Sequence, residues 1–408
     1  MHRRPQNARR LLLLGLAAAV APLARAEGPP EASPTAGFAE HLKTAYGDQT
    51  PPEGARMLMA ILQGSRMGPG EGWFGPAQTR YTWPWLAERL GTDPKAGIPR
   101  DRFGGPEDLF AVLDRNRDGV IQPTDLDWSD TNPYVQLSYA LNRIFRRLDA
   151  DGSGAMSRDD WQQLFDGAAG ADGGLTAEEF AGALLKGEGG GFTPGDAPTT
   201  DTLLKGLFAG EIGSMEEGPK VGDPAPVFRL RAVRGEGSVA VDDLLGEKPL
   251  VLVFGNFTCG PFRAFYPAVD ALRATYGDRA NFLMVYVREA HPEDGWKMES
   301  NAKAGVTVVQ PKSFEERIGV AGQFCQRLDP SMPVVVDDVN DSVGHAYSGM
   351  PARLYLVDAD GRIAYKSGRG PFGFKPKELE QALAMHLLES FAPTPAPAAP
   401  AAEAAGAR

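Results

Sequence analysis

Pro249-Leu250-Val251-Leu252-Val253-Phe254 is an unbroken apolar run, and it constrains the fold of this chain more than any other stretch. A strand that is apolar at every position is buried on both faces, so it belongs inside a sheet covered by helices. The run leads through Gly255-Asn256-Phe257-Thr258 into Cys259-Gly260-Pro261-Phe262, and Arg263 to Tyr276 reads as a helix. Cys259 therefore stands at a helix N-terminus, where orphan N–H groups and the macrodipole favour a thiolate. From Val221 to about residue 391, short apolar strands alternate with helices, the texture of an α/β layer fold. Within it, Gly349-Met350-Pro351 precedes a strand at Arg353–Val357, and Asp360-Gly361 turns that strand into a hairpin.

The 408 residues suffice for two domains. The net charge is -11 and no Lys/Arg cluster lies beyond the extreme N-terminus, which excludes nucleic acid as a partner. That N-terminus reads as an export leader over residues 1–26: basic Arg3, Arg4, Arg9 and Arg10, apolar Leu11 to Val20, then Ala24-Arg25-Ala26. The expected location is periplasmic or secreted, and no later apolar run is long enough to span a membrane. Residues 27–105 read as a poorly ordered, then helical lead-in whose aromatics (Trp73, Phe74, Tyr81, Trp83, Trp85) serve packing. A Gly/Pro/Thr-rich linker is expected at 187–217, an α/β domain at 218–391 and a disordered Ala/Pro tail at 392–408.

Between residues 106 and 186 the pattern is helix, acidic loop, helix, repeated. The first loop offers oxygens from Asp114, Asn116, Asp118, the Val120 carbonyl, Gln122 and Asp125, with Gly119 at the sharp turn. The second offers Asp149, Asp151, Ser153, the Ala155 carbonyl, Ser157 and Asp160. Such sets suit Ca²⁺, a hard cation that takes roughly six to eight oxygen ligands. Leu137, Leu141, Ile144 and Leu148 share one face of the helix entering the second loop. Both loops resemble the EF-hand family, which implies two calcium sites in an all-α module, with Ile121 cross-pairing to the sister loop. The last ligand is Asp where that family usually carries a bidentate Glu, so weaker binding is expected. A third stretch, Asp172 to Phe180, has only the back half of a loop and reads as a hand without metal.

The Cys259-Gly260-Pro261 motif, with Pro267 in the following helix, resembles thioredoxin, although Phe262 replaces that family's second cysteine. The resemblance implies a cis-proline at Pro351. A more specific resemblance, to the iodothyronine deiodinases, covers about residues 245–390. Their site reads Phe-Gly-Ser-Cys-Thr-selenocysteine-Pro-Pro-Phe, and here Phe254 to Phe262 places Cys259 on the selenocysteine. Glu289-Ala290-His291-Pro292-Glu293-Asp294-Gly295-Trp296 matches their Glu-Ala-His-Pro-x-Asp-Gly-Trp signature, and Arg353-Leu354-Tyr355 and Gly368-Arg369-Gly370-Pro371 also match. The resemblance implies an oxidoreductase with Thr258, Cys259, Glu289 and His291 as the catalytic set, Cys259 being the nucleophile and the Glu/His pair a proton relay. Independently, a carboxylate beside an imidazole can hold its tautomer and tune it for acid/base work.

The departures matter as much. Where the family grips the amino-acid end of its substrate with His, Glu and Arg, this chain has Pro311, Ala352 and Arg369. Arg369 and Pro351 are thus the expected substrate contacts, and thyroid hormone itself is a poor match. Cys325, the other cysteine, shares a helical stripe with Phe314, Ile318, Ala321 and Leu328, which suits a core position. The alternative for it is a resolving role toward Cys259; otherwise an external thiol serves as reductant. The substrate is a small molecule or a thiol redox partner. Two alternatives stay open: a one-cysteine peroxidase or thiol–disulfide protein, and a calcium-dependent binding protein with an inert thioredoxin-like half. Against a peroxidase, Asn256 stands where the peroxiredoxin spacing has Thr.

Overall fold

The computed structural model describes residues 36–64, 76–149, 155–170, 173–185, 196, 198–235 and 237–391. The leader 1–26, Trp73, Phe74, the loop ligands Asp151 and Ser153, Asp172, the linker's glycines at 187–195 and the tail 392–408 lie outside the described residues.

Among the described residues the strands are β1 (Gln78–Thr79), β2 (Ile98–Pro99), β3 (Val120–Ile121), β4 (Arg229–Ala232), β5 (Ser238–Ala240), β6 (Leu250–Gly255), β7 (Asn281–Tyr286), β8 (Val334–Val336), β9 (Arg353–Val357) and β10 (Ile363–Lys366). The apolar run becomes β6, buried at all six positions. It lies parallel to β7 and antiparallel to β9 in a sheet of order β1-β10-β9-β6-β7-β8-β4-β5. Helix Gly260–Tyr276 makes the crossover from β6 to β7. The β9–β10 hairpin turns at Gly361, whose φ of +76 favours glycine, and leads to helix Pro376–Leu388. A βαβ unit followed by a ββα unit, in spatial order β10-β9-β6-β7, is the thioredoxin-like arrangement.

The N-terminal half does not hang free of this sheet. β1 pairs with β10 at its edge, Gln78 opposite Lys366. Tyr81, Leu86, Ile98, Phe103, Leu109, Phe110, Leu113 and Ile121 join the same hydrophobic core as β6 and β7. Arg89 donates to the carbonyls of Leu388 (3.0 Å), Glu389 (2.5 Å) and Phe391 (2.6 Å), satisfying the open end of helix Pro376–Leu388. Residues 200–208, inside the stretch read as linker, form a helix capped by Thr199. Leu203 and Leu207, four apart, bury against Met57 and Ile61 of helix Glu53–Leu62 and against Trp296 and Met298. Local composition had hidden that amphipathic pair.

The hands follow in order: helix Glu107–Leu113 before the first loop, helices Pro133–Leu148 and Arg158–Ala168 around the second, and helix Ala177–Leu185 after the partial third. Together they form an all-α module beside the α/β domain. Among the described residues Ile121 pairs with β2, opposite Ile98, and not with the sister loop as expected. Gly97 permits this, since a Cβ there would stand 2.4 Å from Val120. Among the described residues, no helix is long and apolar enough to cross a membrane.

Candidate active site and calcium loops

Cys259 is the N-cap of helix Gly260–Tyr276, just past the C-terminal end of β6. The loop before it is held almost entirely by side chains. Asn256, fully buried, accepts from the Cys259 N–H (3.0 Å) and the Ala290 N–H (3.3 Å), while its Nδ2 donates to the Pro351 carbonyl (3.0 Å). The Met350–Pro351 bond is cis. The Phe257 N–H donates to the Tyr286 hydroxyl (3.1 Å).

Glu289, fully buried just beyond β7, is the hub. Its Oε2 accepts from both the Thr258 N–H (2.8 Å) and the Thr258 hydroxyl (2.7 Å), and its Oε1 from the Tyr286 hydroxyl. Gln310 brackets its backbone, accepting from the Glu289 N–H (3.1 Å) and donating to the Glu289 carbonyl (3.0 Å). Burial raises the Glu289 carboxyl above its ordinary range, against the pull of the Tyr286 and Thr258 hydrogen bonds and of Arg317. The Thr258 hydroxyl in turn accepts from the His291 N–H (3.0 Å).

The imidazole of His291 is oriented by another group. Its Nδ1 lies 3.0 Å from the Trp296 carbonyl, which can only accept, so the ring carries its proton on Nδ1 and presents a bare Nε2. Trp296 also packs edge-on against the ring at 4.6 Å. Burial pushes the imidazole down to about 4, so it is neutral at pH 7. The carboxylate of Glu289 thus reaches the His291 backbone through Thr258, and the tautomer is set by Trp296. Sequence reading missed Asn256, Tyr286, Gln310 and the Trp296 carbonyl in these roles, because amides and a backbone oxygen leave no motif.

The remaining expected residues lie elsewhere. Cys259 is only 2% exposed, whereas Gly260, Pro261 and His291 beside it are half-buried. Cys325 is buried in helix Phe314–Leu328, its thiol pushed up to about 11 by burial, with Arg234 and Asp329 as its charged neighbours. Arg369 corrects the expectation of a substrate contact. It is fully buried and donates to Glu53 (Nε, 2.9 Å), the Met350 carbonyl (3.1 Å), the Ser214 carbonyl (2.7 Å) and the Ser348 hydroxyl (2.9 Å). A carboxylate from the lead-in helix occupies the guanidinium, leaving no open face for a ligand.

The first acidic loop, residues 114–125, lies wholly among the described residues. Asp114 accepts from the Asp118 (3.1 Å) and Gly119 (2.9 Å) N–H groups, and Asp118 from the Val120 N–H (2.9 Å). Asp125, 1% exposed, accepts from the Asn116 (3.2 Å) and Gln122 (2.8 Å) N–H groups. In the second loop Asp160 accepts from the Ser157 N–H at the same 2.8 Å, so the two final carboxylates fold back alike. Asp149 and Ala155 flank the residues outside the description. Among the described residues no three His, Cys, Asp or Glu side chains already converge around a metal. The carboxylates are turned onto the loop's own N–H groups, and the all-oxygen donor set fits a hard divalent cation rather than a soft one. The first loop also rests on the α/β domain: Gln381 donates to the Asp125 carbonyl (3.0 Å) and accepts from the Trp128 indole (2.8 Å).

A cysteine at a helix N-terminus, linked through Asn256 to a cis-proline on this strand order, fits a thioredoxin-fold thiol-dependent oxidoreductase. The iodothyronine deiodinase family model matches residues 198–386, and the EF-hand model matches 107–127 and 141–165. Thyroxine 5-deiodinase of Gallus gallus is 33% identical over 214 residues, 50% of this chain and 79% of that protein. Type I iodothyronine deiodinase of Xenopus laevis is 33% identical over 165 residues, 40% of this chain and 63% of that protein. The chain belongs to the iodothyronine deiodinase family. Among solved structures it is similar to the exposed lipoprotein thioredoxin of Streptococcus pneumoniae, with 20% identity, a TM-score of 0.28, and coverage of 39% of this chain and 99% of that one. It is an enzyme of oxidoreductase type acting on a small molecule.

Proposed function

We propose that the protein is an exported, calcium-binding reductive dehalogenase whose nucleophile is Cys259. The sulfur attacks a halogen on an unsaturated carbon: the S–halogen bond forms, the carbon–halogen bond breaks, and its electron pair stays on carbon. Cys259 reacts as the thiolate, and His291, neutral with a bare Nε2, relays a proton from solvent to that carbon. Two equivalents of an external thiol then release halide and leave as a disulfide, restoring Cys259. An external reductant is favoured over Cys325, whose thiol stays protonated. Pro351 borders the reacting sulfur, and substrate enters along the half-buried rim of Gly260, Pro261 and His291.

The carrying observation is the joint grip of Glu289 on the Thr258 N–H and hydroxyl, 2.8 and 2.7 Å, with the His291 N–H on the same hydroxyl. It ties three residues of one chemistry to the peptide that bears Cys259. With Arg369 closed by Glu53, a substrate lacking an amino-acid carboxylate suits the site better than thyroid hormone. Two calcium ions are assigned to the loops, held by Asp114, Asn116, Asp118, Val120, Gln122 and Asp125, and by Asp149, Asp151, Ser153, Ala155, Ser157 and Asp160.

The test incubates purified protein and Cys259→Ser with dithiothreitol and iodinated phenols, peroxide or a disulfide. Iodide release lost in the variant supports dehalogenation. Peroxide consumption alone moves the protein to the one-cysteine peroxidases, disulfide turnover alone to the thiol–disulfide proteins, and silence in all three leaves a calcium-dependent binding protein.

A further inference from the structure

Four arginines are buried among the described residues: Arg263, Arg317, Arg353 and Arg369. Three have a carboxylate within ion-pair distance, Arg317 at 3.1 Å from Asp341 and both Arg353 and Arg369 at Glu53. Arg263, 4% exposed, forms no such pair among the described residues. Its acceptors are neutral: Nη1 donates to the Phe257 carbonyl and Nη2 to Asn301 Oδ1 (2.9 Å), while Asn301 Nδ2 donates to the Thr258 carbonyl (2.8 Å). Its Nε has no hydrogen-bond partner in the structure. A buried guanidinium without a counter-charge is costly, so an anion belongs close by.

The geometry identifies that anion. Arg263 is four residues after Cys259, and its N–H donates to the Cys259 carbonyl (3.1 Å). Long helical side chains lean toward the N-terminus, and a Cβ on Gly260 would stand 3.7 Å from Arg263 Nη2. The guanidinium therefore lies back over the first turn of the helix, beside the cysteine. We propose that Arg263, positioned by Asn301, is the counter-charge that holds Cys259 as a thiolate. Burial lowers the guanidinium's own pKa, and the charges opposing that drop are Cys259 first and Glu289 second. The arrangement supplements the helix N-terminus with a full charge in a water-poor setting, where electrostatic effects are strongest. It also fixes the two carbonyls ahead of the sulfur, those of Phe257 and Thr258.

The proposal rests on the reading of Cys259 as nucleophile, and one measurement separates the two. The rate of Cys259 alkylation by iodoacetamide is followed against pH in a Cys325→Ser background. Arg263→Met raises the midpoint by about one pH unit or more, roughly a tenfold loss of thiolate near neutrality, while Arg263→Lys keeps most of the low midpoint. Asn301→Ala gives a smaller rise, and it carries the test if Arg263→Met does not fold. A midpoint unmoved in the folded variants overturns the role of Arg263 alone. A parent midpoint near the ordinary thiol value of about 8.5 overturns the nucleophile reading as well.

Discussion

Two buried polar clusters meet at Met350-Pro351, and they are built on opposite principles. On one side the Pro351 carbonyl serves Asn256 and, through it, the cluster of Cys259, Thr258, Glu289 and His291. On the other the Met350 carbonyl serves Arg369 and its partner Glu53. The first cluster joins hydroxyls, amides, the Glu289 carboxyl and a neutral imidazole to the Cys259 sulfur, groups whose protons can move. The second is made of fixed charges, Arg369, Arg353 and Glu53, locked by residues from outside the α/β core. A polar site that must do chemistry keeps mobile protons and a half-buried rim. A polar site that serves as a staple is compensated and closed. On the proposed reading the reaction end is kept, while Arg369, the expected substrate contact, is closed by Glu53.

That contrast can be broken experimentally. His291→Gln should lower turnover by roughly 10²–10⁴-fold with little change in Tm, since it removes a proton carrier and not a charge pair. Glu53→Ala should do the reverse. Stranding Arg369 is expected to cost about 3–5 kcal/mol of stability, read by denaturant unfolding, while Cys259 alkylation stays unchanged. If Glu53→Ala instead lets carboxylate-bearing substrates bind, the staple is a latch and the contrast softens.

Calcium sharpens the picture from the other flank. Saturating calcium at about 100-fold over its Kd should stabilise the protein by about 2.7 kcal/mol for each occupied site, lost on adding a chelator. Because Trp128 bonds Gln381 three residues beyond Asp125, its fluorescence should change on titration, and Asp125→Asn should abolish that change. The smallest effect concerns acid. The folded imidazole of His291 sits near 4, below its ordinary 6.5, so the unfolded chain binds the extra proton between those values. Its contribution is present above pH 6.5 and lost as pH falls toward 4. Wild type should therefore lose stability relative to His291→Gln across that window, and a flat difference would count against a buried neutral imidazole.

Much of the reaction end was legible in the sequence because its parts are contiguous. The apolar run of β6 demanded a central strand, and strand, loop and helix then placed Cys259 where a thiolate is favoured. The Glu289-to-Trp296 block follows directly on β7, so it lands at the same edge of the sheet. Less legible was how those parts touch. In place of the expected carboxylate–imidazole contact, Thr258 links Glu289 to the His291 backbone N–H, and the proton on Nδ1 is held by a backbone carbonyl. Glu53 and Arg369, 316 residues apart, carry no local signal of their pairing. The same holds for Ile98 with Ile121, and for the helix at 200–208 inside a linker-like composition.

What the amino acids determined alone was whatever depends on neighbours along the chain: periodic burial, cap residues, loop ligands at fixed spacing and the order of strands and helices. The tertiary structure decided which charges are neutralised and by whom, because burial lets a distant carboxylate take a guanidinium that would otherwise face a ligand. That choice is set by desolvation, which penalises any unpaired charge inside the fold whatever its place in the sequence.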